Sequence, residues 1–373
     1  MVSILIYLST TALAPHFLMI LALIWTIVKN YNTIFNSSIK SETYKNIIFI
    51  SLIVVLSFIN SLIHFKQISH AYLLFPYTAL MFGSFIIAKY IDKKSIELLV
   101  FFIAFEALIG VVEFLHNINS ILFWKDFFEH YSSTNLIYFK KVFGLSENSS
   151  NLAIKLLSGF ILMSYYKLFT TKQRTLLYIL FSIALILSFQ RTSIIVLIFY
   201  LISRIIQKVW TTVNPLKLKI IKFKIPKRIL QISLVLTILI LTGVIYKTII
   251  FQLSKGNSQI ELSGREKIWP SYISFIQEHP IYGNYSQKYM IDYKGEKNSA
   301  HAHNSFLQVL ANHGFIIFLL FILLILINIK KGNALVIMAL VILSLFQYAL
   351  FWGISLIDII FFIFAIHSKK NTF

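Results

Sequence analysis

The sequence predicts an all-α, polytopic integral membrane protein of about eleven transmembrane helices carrying a large periplasmic loop, and three observations predict it. Apolar residues make up 58% of the 373 and charged residues only 13%, half the charge of an ordinary soluble domain, which is about 25%. The apolar residues come in blocks, many of roughly 17 to 25 residues, the length an α-helix needs to cross about 30 Å of hydrocarbon. They run continuously, where a transmembrane barrel alternates.

The expected spans are 2 to 28, 47 to 63, 71 to 88, 96 to 114, 151 to 169, 175 to 189, 192 to 209, 229 to 250, 305 to 329, 334 to 351 and 354 to 367. The first block, Val2 to Val28, has no basic residue before it and Lys29 just after it. That is the reverse of a cleavable signal peptide and predicts a retained span. Orientation follows from the basic residues in short loops. With the N-terminus outside, the inner segments hold Lys29, Lys40 and Lys45; Lys89, Lys93 and Lys94; Lys167, Lys172 and Arg174; Arg204 to Arg228; Lys330 and Lys331; and Lys369 and Lys370. The outer face then carries a small loop at Lys66 and two long segments, 115 to 150 and 251 to 304. Loops this long in a compact protein are usually functional or disordered, and these hold too many aromatics for disorder. The whole chain, 1 to 373, reads as one membrane domain without internal repeats.

The net charge of +20 raises the question of nucleic acid. The basic run Lys208 to Arg228 is explained without it, as a cytoplasmic loop at an anionic leaflet, and no nucleic-acid partner is expected. The chain has no cysteine, which excludes disulfides and thiolate metal sites.

The longer outer loop holds the candidate chemistry. Ser263-Gly264-Arg265-Glu266 has the capping-box form, so a helix should start there with Arg265 in its first turn. Ile268, Trp269, Tyr272, Ile273 and Ile276 follow at helical spacing as an apolar stripe for the membrane or the bundle; Pro270 is a candidate kink, and His279-Pro280 should end the helix. Further on, Asn304 or Ser305 can cap a second helix, and Gly314 suits a break before the span proper. His303 stands just ahead of that helix. Such a terminus attracts an anion and keeps a nearby imidazole neutral, hence able to act as a base.

His303-Asn304, nine residues and then Gly314 resembles the H-[NSQ]-x9-G signature of the O-antigen ligases and the related O-antigen and exopolysaccharide polymerases. Gly264-Arg265 with Trp269, followed by His279-Pro280-Ile281-Tyr282-Gly283, is similar to a segment those proteins carry in the same periplasmic loop. Phe189-Gln190-Arg191-Thr192-Ser193 resembles their S-R-T/G element with its functional arginine, and Gly144-Leu145-Ser146-Glu147-Asn148 is a weaker match to their glycine and asparagine motif. The likeness runs in order from about 140 to 330. Eleven spans is one fewer than the family's twelve, and Asn284 replaces its second glycine.

The resemblance implies a membrane glycosyltransferase of the C fold class, independent of metal and without cofactor, in the bacterial cytoplasmic membrane with its site facing outward. It would move a glycan from an undecaprenyl diphosphate carrier to a hydroxyl on another carrier-linked repeat unit, as a polymerase of O-antigen, capsular or exopolysaccharide, or on lipid A core, as a ligase. Membrane lipid, a chain-length regulator and other polysaccharide-assembly proteins are the partners this implies. Arg191 and Arg265, the two arginines expected outside, suit the leaving diphosphate because a guanidinium pairs bidentately with phosphate oxygens. His303 is the expected base for the acceptor hydroxyl. Lys155, Glu113, Asn304 and Trp269 are candidate substrate contacts.

Duller roles stand beside these. His303 can merely cap or hydrogen-bond in its loop, and Arg191 can anchor at the interface. Glu106 and Glu113 share a face of the fourth span, and intramembrane charges pair or function by default, so a structural Glu113–Lys155 pair is an equal alternative to substrate contact. His279, His301, His303 and His313 fit no standard metal-ligand spacing. A transporter using Glu106, Glu113 and Asp358 is the reading from a different class; it lacks the repeats and interrupted spans usual there.

Overall fold

The computed structural model describes residues 1–13, 17–36, 41–67, 77–122, 140–166, 168–212, 264–292 and 299–367. Its first finding corrects the opening span, which is divided. Helix α1 (Val2–Ser9) ends where Thr10 and Thr11 turn their hydroxyls back onto the carbonyls of Tyr7 and Leu8, a local bond that competes with helix continuation. Helix α2 (Phe17–Lys29) resumes beyond Ala14-Pro15-His16, which lies outside the described residues; a proline there supplies no helical N–H. Then follow α3 (Tyr31–Asn36), α4 (Ser41–Ile63), α5 (Met81–Tyr90), α6 (Lys93–Leu115), α7 (Ser149–Tyr165), α8 (Thr171–Leu187) and α9 (Arg191–Thr212). After the segment holding the expected span 229 to 250, outside the described residues, come α10 (Arg265–Glu278), the paired strands β1 (Ile291–Asp292) and β2 (Ser299–Ala300), α11 (Ser305–Asn328), α12 (Ala334–Phe346) and α13 (Leu356–Ile366).

Among the described residues three helices are long and apolar enough to cross a membrane, Thr43–Ile63, Lys93–Leu115 and Ser305–Asn328, and shorter apolar helices cover Phe17–Lys29, Ala334–Phe346 and Leu356–Ile366. Among the described residues the regular structure is helical apart from the two-residue strand pair, which suits a membrane protein, because hydrocarbon offers no partner for an open backbone. Helix α6 shows the solvent it is built for. Phe101, Phe105, Leu108 and Leu115 are 61%, 52%, 52% and 71% exposed, an apolar surface suited to lipid. Its opposite face buries Ile96, Leu99, Ile103 and Ala107 together with Glu106 and Glu113, so the charges face the bundle interior.

Those two carboxylates correct the expected pairing. Lys155 on α7 binds Glu106, not Glu113: Nζ lies 2.6 Å from Glu106 Oε1 and 3.2 Å from the Thr10 carbonyl oxygen, and Ser146 Oγ donates to the same Oε1. Glu113 instead accepts from the backbone N–H groups of Ile121, Phe143 and Gly144. It pins the base of the 115 to 150 loop to α6. The Gly144 motif is needed for this approach, since its φ is +58° and a Cβ there would lie 2.8 Å from Glu106 Cγ.

Tertiary contacts sort the helix ends into two groups. Lys29 pairs with Asp92 at 3.3 Å, His367 Nε2 meets the Ala88 carbonyl and Lys330 Nζ donates to the Ala365 carbonyl; all belong to the expected inner side. Gln190 donates to Ser150, Arg265 to the Phe346 carbonyl and Asn60 to the Tyr282 carbonyl. These belong to the expected outer side.

Candidate functional site

The candidate site is assembled by α9, α10, α11 and the turn after α12, at the helix ends expected to face outward. Helix α10 starts at Arg265 as expected, but its N-cap is Gly264, with a left-handed φ of 86° and no side-chain cap bond; Ser263 lies outside the described residues. The helix runs through Pro270 and ends before His279. Its apolar stripe packs on the bundle side: Ile268 and Tyr272 are buried in one small core with Ala302 and Ala311, whereas Ile273 is exposed. Tyr272 Oη bonds the Tyr289 carbonyl and Gln308 Oε1, and Trp269 Nε1 donates to the Ala302 carbonyl at 2.8 Å. Trp269, a candidate substrate contact, therefore holds the strand that leads into His303.

Helix α11 breaks at Gly314, as the sequence predicts, with φ 76° and ψ −179°. The break opens backbone groups that segment 280–286 then satisfies: Asn284 and Ser286 N–H donate to the carbonyls of Ala311 and Asn312, and Phe315 N–H donates to the Pro280 carbonyl. The fit is too close for any other residue. A Cβ on Gly314 would sit 1.9 Å from the Ile281 carbonyl oxygen, and one on Gly283 2.5 Å from that of Ala311. Residues 305 to 313 thus form a short outer helix locked to the loop.

Asn304 caps this short helix, its Oδ1 accepting from Phe306 and Leu307 N–H at 2.9 and 3.0 Å. Two of the amides expected to attract an anion are therefore already bonded. Ser305 Oγ accepts from Ala349 and Leu350 N–H, and Asp358 accepts from Phe351 and Trp352 N–H. Together they fold the turn after α12 over the N-terminus of α11.

His303 precedes the cap in a left-handed conformation, φ 48°, uncommon for a side chain of this size and a frequent mark of functional sites. Its backbone N–H donates to Nδ1 of His301 at 3.2 Å, and the two rings lie 4.1 Å apart. That bond requires His301 Nδ1 to be without a proton. Burial, reinforced by the charge of Arg265, pushes the His303 pKa down to about 4, against a hydrogen bond with Gln347 that raises it. Burial with the charges of His303, Lys288 and Arg265 pushes His301 down to about 3. Both imidazoles are neutral at pH 7.

Arg265 Nη2 donates to the carbonyl of Phe346, the last residue of α12, at 2.8 Å, where helix carbonyls point outward with negative potential. Burial and the neighbouring charge of Arg191 lower its pKa while Glu266 raises it. Arg191, the first residue of α9, follows Phe189 at φ 51°. The structure therefore brings His303, Arg265 and Arg191 into one electrostatic neighbourhood, linked through Arg265. Lys155 and Glu113 are 2% and 0% exposed and occupied by the contacts already described, in a separate cluster.

Sequence reasoning missed Gln347, Lys288 and the Tyr348–Trp352 stack, in which the rings lie 4.3 Å apart and Lys288 Nζ stands 4.2 Å from the Trp352 ring centroid. Among the described residues no three His, Cys, Asp or Glu side chains gather as a metal-binding group.

No curated protein and no solved structure matches the chain. A family model described as O-Antigen ligase matches residues 176–322, a stretch containing Arg191, Arg265, His303 and Gly314. Over that segment the chain is similar to the O-antigen ligase family whose motifs it resembles.

Proposed function

We propose that the protein polymerises carrier-linked oligosaccharide repeat units, transferring the glycan from a polyprenyl diphosphate to the hydroxyl of an acceptor sugar. His303 takes the proton of the acceptor hydroxyl as its oxygen bonds to the anomeric carbon. The bond from that carbon to the diphosphate oxygen breaks with its electron pair, and the diphosphate leaves between Arg265 and Arg191. Attack opposite the leaving group inverts the anomeric centre. What supports this reading is that the charge of Arg265 reaches the buried, neutral imidazole of His303 while Arg265 itself feels the charge of Arg191. Arginine keeps its charge at any working pH and forks onto phosphate oxygens.

The matching family is described as O-Antigen ligase, and the second reading is accordingly a ligase, with lipid A core as acceptor. The two readings share their chemistry and part in vivo. Loss of a polymerase leaves single repeat units on core; loss of a ligase leaves full chains on the carrier. Transport is disfavoured by the occupation of its candidate carboxylates: Glu106 is held by Lys155 and Ser146, Glu113 by three backbone N–H groups, and Asp358 by two N–H groups and Ser355.

The test is transfer from carrier-linked substrate by purified variants in nanodiscs. Arg191→Ala and Arg265→Ala should each nearly abolish transfer, Lys should restore it only in part, and the double variant should be scarcely worse than the worse single, because groups acting as a unit are not additive. Activity should persist in EDTA. Near-normal turnover in either alanine variant, or EDTA inactivation reversed by a divalent cation, overturns the arginine clamp.

A further inference from the structure

A groove of about 470 Å3 lies between α7, α8 and α9, apart from the His303 cluster. Its volume falls in the range of ligand clefts, about 300 to 1,000 Å3. Its two ends differ in chemistry. Ile179, Ile183 and Ile186 stand on one face of α8 and, with Leu201 of α9, form an apolar wall. These four side chains are 53%, 44%, 58% and 38% exposed. The other end gathers Ser164, Tyr178, Tyr200 and Arg204. Tyr200 and Ser164 share a hydroxyl–hydroxyl hydrogen bond, Arg204 Nη2 donates to the Ser164 carbonyl at 3.1 Å, and the charges of Arg174 and Arg204 both reach Tyr178.

From Tyr178 to Ile186 the groove follows α8 for about 12 Å at 1.5 Å per residue. A cationic, hydroxyl-bearing end continued by an apolar wall along a membrane helix has the polarity of a lipid molecule. The cationic end lies beside the first turn of α8, which carries Lys172 and Arg174, at the end of α9 opposite Arg191. A basic segment at that level attracts anionic headgroups. A guanidinium already bonded to one carbonyl retains further N–H donors in a planar fork suited to phosphate oxygens. A zwitterionic headgroup brings its own cation to two arginines and loses that advantage.

We propose that this groove binds an anionic phospholipid, its phosphate held by Arg204 and Arg174 and one acyl chain laid along α8. The site is independent of glycan transfer, so its test does not use activity. The full-length protein is purified, exchanged into detergent with equimolar phosphatidylglycerol and phosphatidylcholine of identical chains, and its bound lipids are counted by native mass spectrometry. Phosphatidylglycerol should be retained about tenfold over phosphatidylcholine, and Arg204→Ala should remove about that preference, the effect of losing a charged hydrogen bond. Arg204→Lys should keep part of it. Ile183→Trp, which fills the apolar wall from a half-exposed position, should reduce retention of both lipids. Each variant is taken forward only when monodisperse with the thermal transition of the wild type, and a charge-neutral change on another exposed face, Leu108→Ala, serves as control. Equal retention of the two lipids, an unchanged preference in Arg204→Ala, or displacement of phosphatidylglycerol by an equimolar polyprenyl phosphate overturns the proposal.

Discussion

His303 combines a left-handed backbone with a charge suppressed chiefly by burial. Its N–H is turned toward His301, and its ring feels a hydrogen bond with Gln347 and the charge of Arg265. A base must be unprotonated to work, so a pKa lowered to about 4 keeps His303 competent at acid pH values where an ordinary histidine, near 6.5, is already charged. The acid limb of kcat/KM, which reports the free enzyme, should therefore lie near pH 4. The limb of kcat should lie higher, because a bound diphosphate anion favours the imidazolium. A kcat/KM limb near 6.5 would remove His303 as the buried base. His303→Ala should cost about 10² to 10⁴ in rate with normal accumulation. His301→Ala should cost much less, since it removes an acceptor for the His303 N–H and leaves the base in place; equal losses at both positions would count against the assignment. His303 and both arginines were legible because each sits in a short polar motif. Gln347 was not, because it closes an apolar block and reaches the site only through the turn that Ser305 and Asp358 fold.

At the scale of elements, the nine-residue spacing between Asn304 and Gly314 measures a short helix whose two ends are fixed by different means. Asn304 caps one end, and the backbone of 280–286 fills the break at the other. Gly314→Ala should then destabilise the fold by more than about 1 to 2 kcal/mol, the cost of a left-handed residue with a Cβ, because the new Cβ also meets backbone at 1.9 Å and neither strand of chain can yield. Gly110→Ala is the comparison. There the Cβ meets only side chains, Val142 at 3.2 Å and Leu152 at 3.6 Å, in an ordinary helix, and the melting temperature of the purified protein should move less than in Gly314→Ala. Equal melting temperatures for the two variants would show that the loop does not lock the break. The break itself was legible, since a glycine interrupts an otherwise apolar helix. The cap at Gly264 and the division of the first span were not: Ser263 and an uncharged block ending at Lys29 are compatible with more than one local geometry, and tertiary contacts choose among them.

For the whole molecule, the pattern of apolar blocks made the three long apolar helices Thr43–Ile63, Lys93–Leu115 and Ser305–Asn328 legible, because a helix that crosses hydrocarbon needs about 20 apolar residues. Which charges meet inside was less legible. Glu106 and Glu113 lie on the same face of α6, and only the path of 142–146 decides that Lys155 takes the first while the loop takes the second. The same logic governs sidedness. Lys29 with Asp92, Lys330 with the Ala365 carbonyl and His367 with the Ala88 carbonyl tie one set of helix ends together, and that set carries the short basic loops expected in the cytoplasm. The opposite set carries His303. Because the chain has no cysteine, single substitutions can report on each side without background. Ser286, at 2% exposure, is a poor probe; Gln277 near the end of α10 and Lys331 between α11 and α12 are exposed. An impermeant maleimide should label Gln277→Cys in cells with an intact cytoplasmic membrane and Lys331→Cys only once that membrane is opened. The opposite pattern would place the imidazole and the two arginines in the cytoplasm, where the basic loops should be, and would overturn outward-facing transfer together with the orientation. Labelling of both positions in intact cells would break the helix-end grouping itself, since α11 would then no longer separate them.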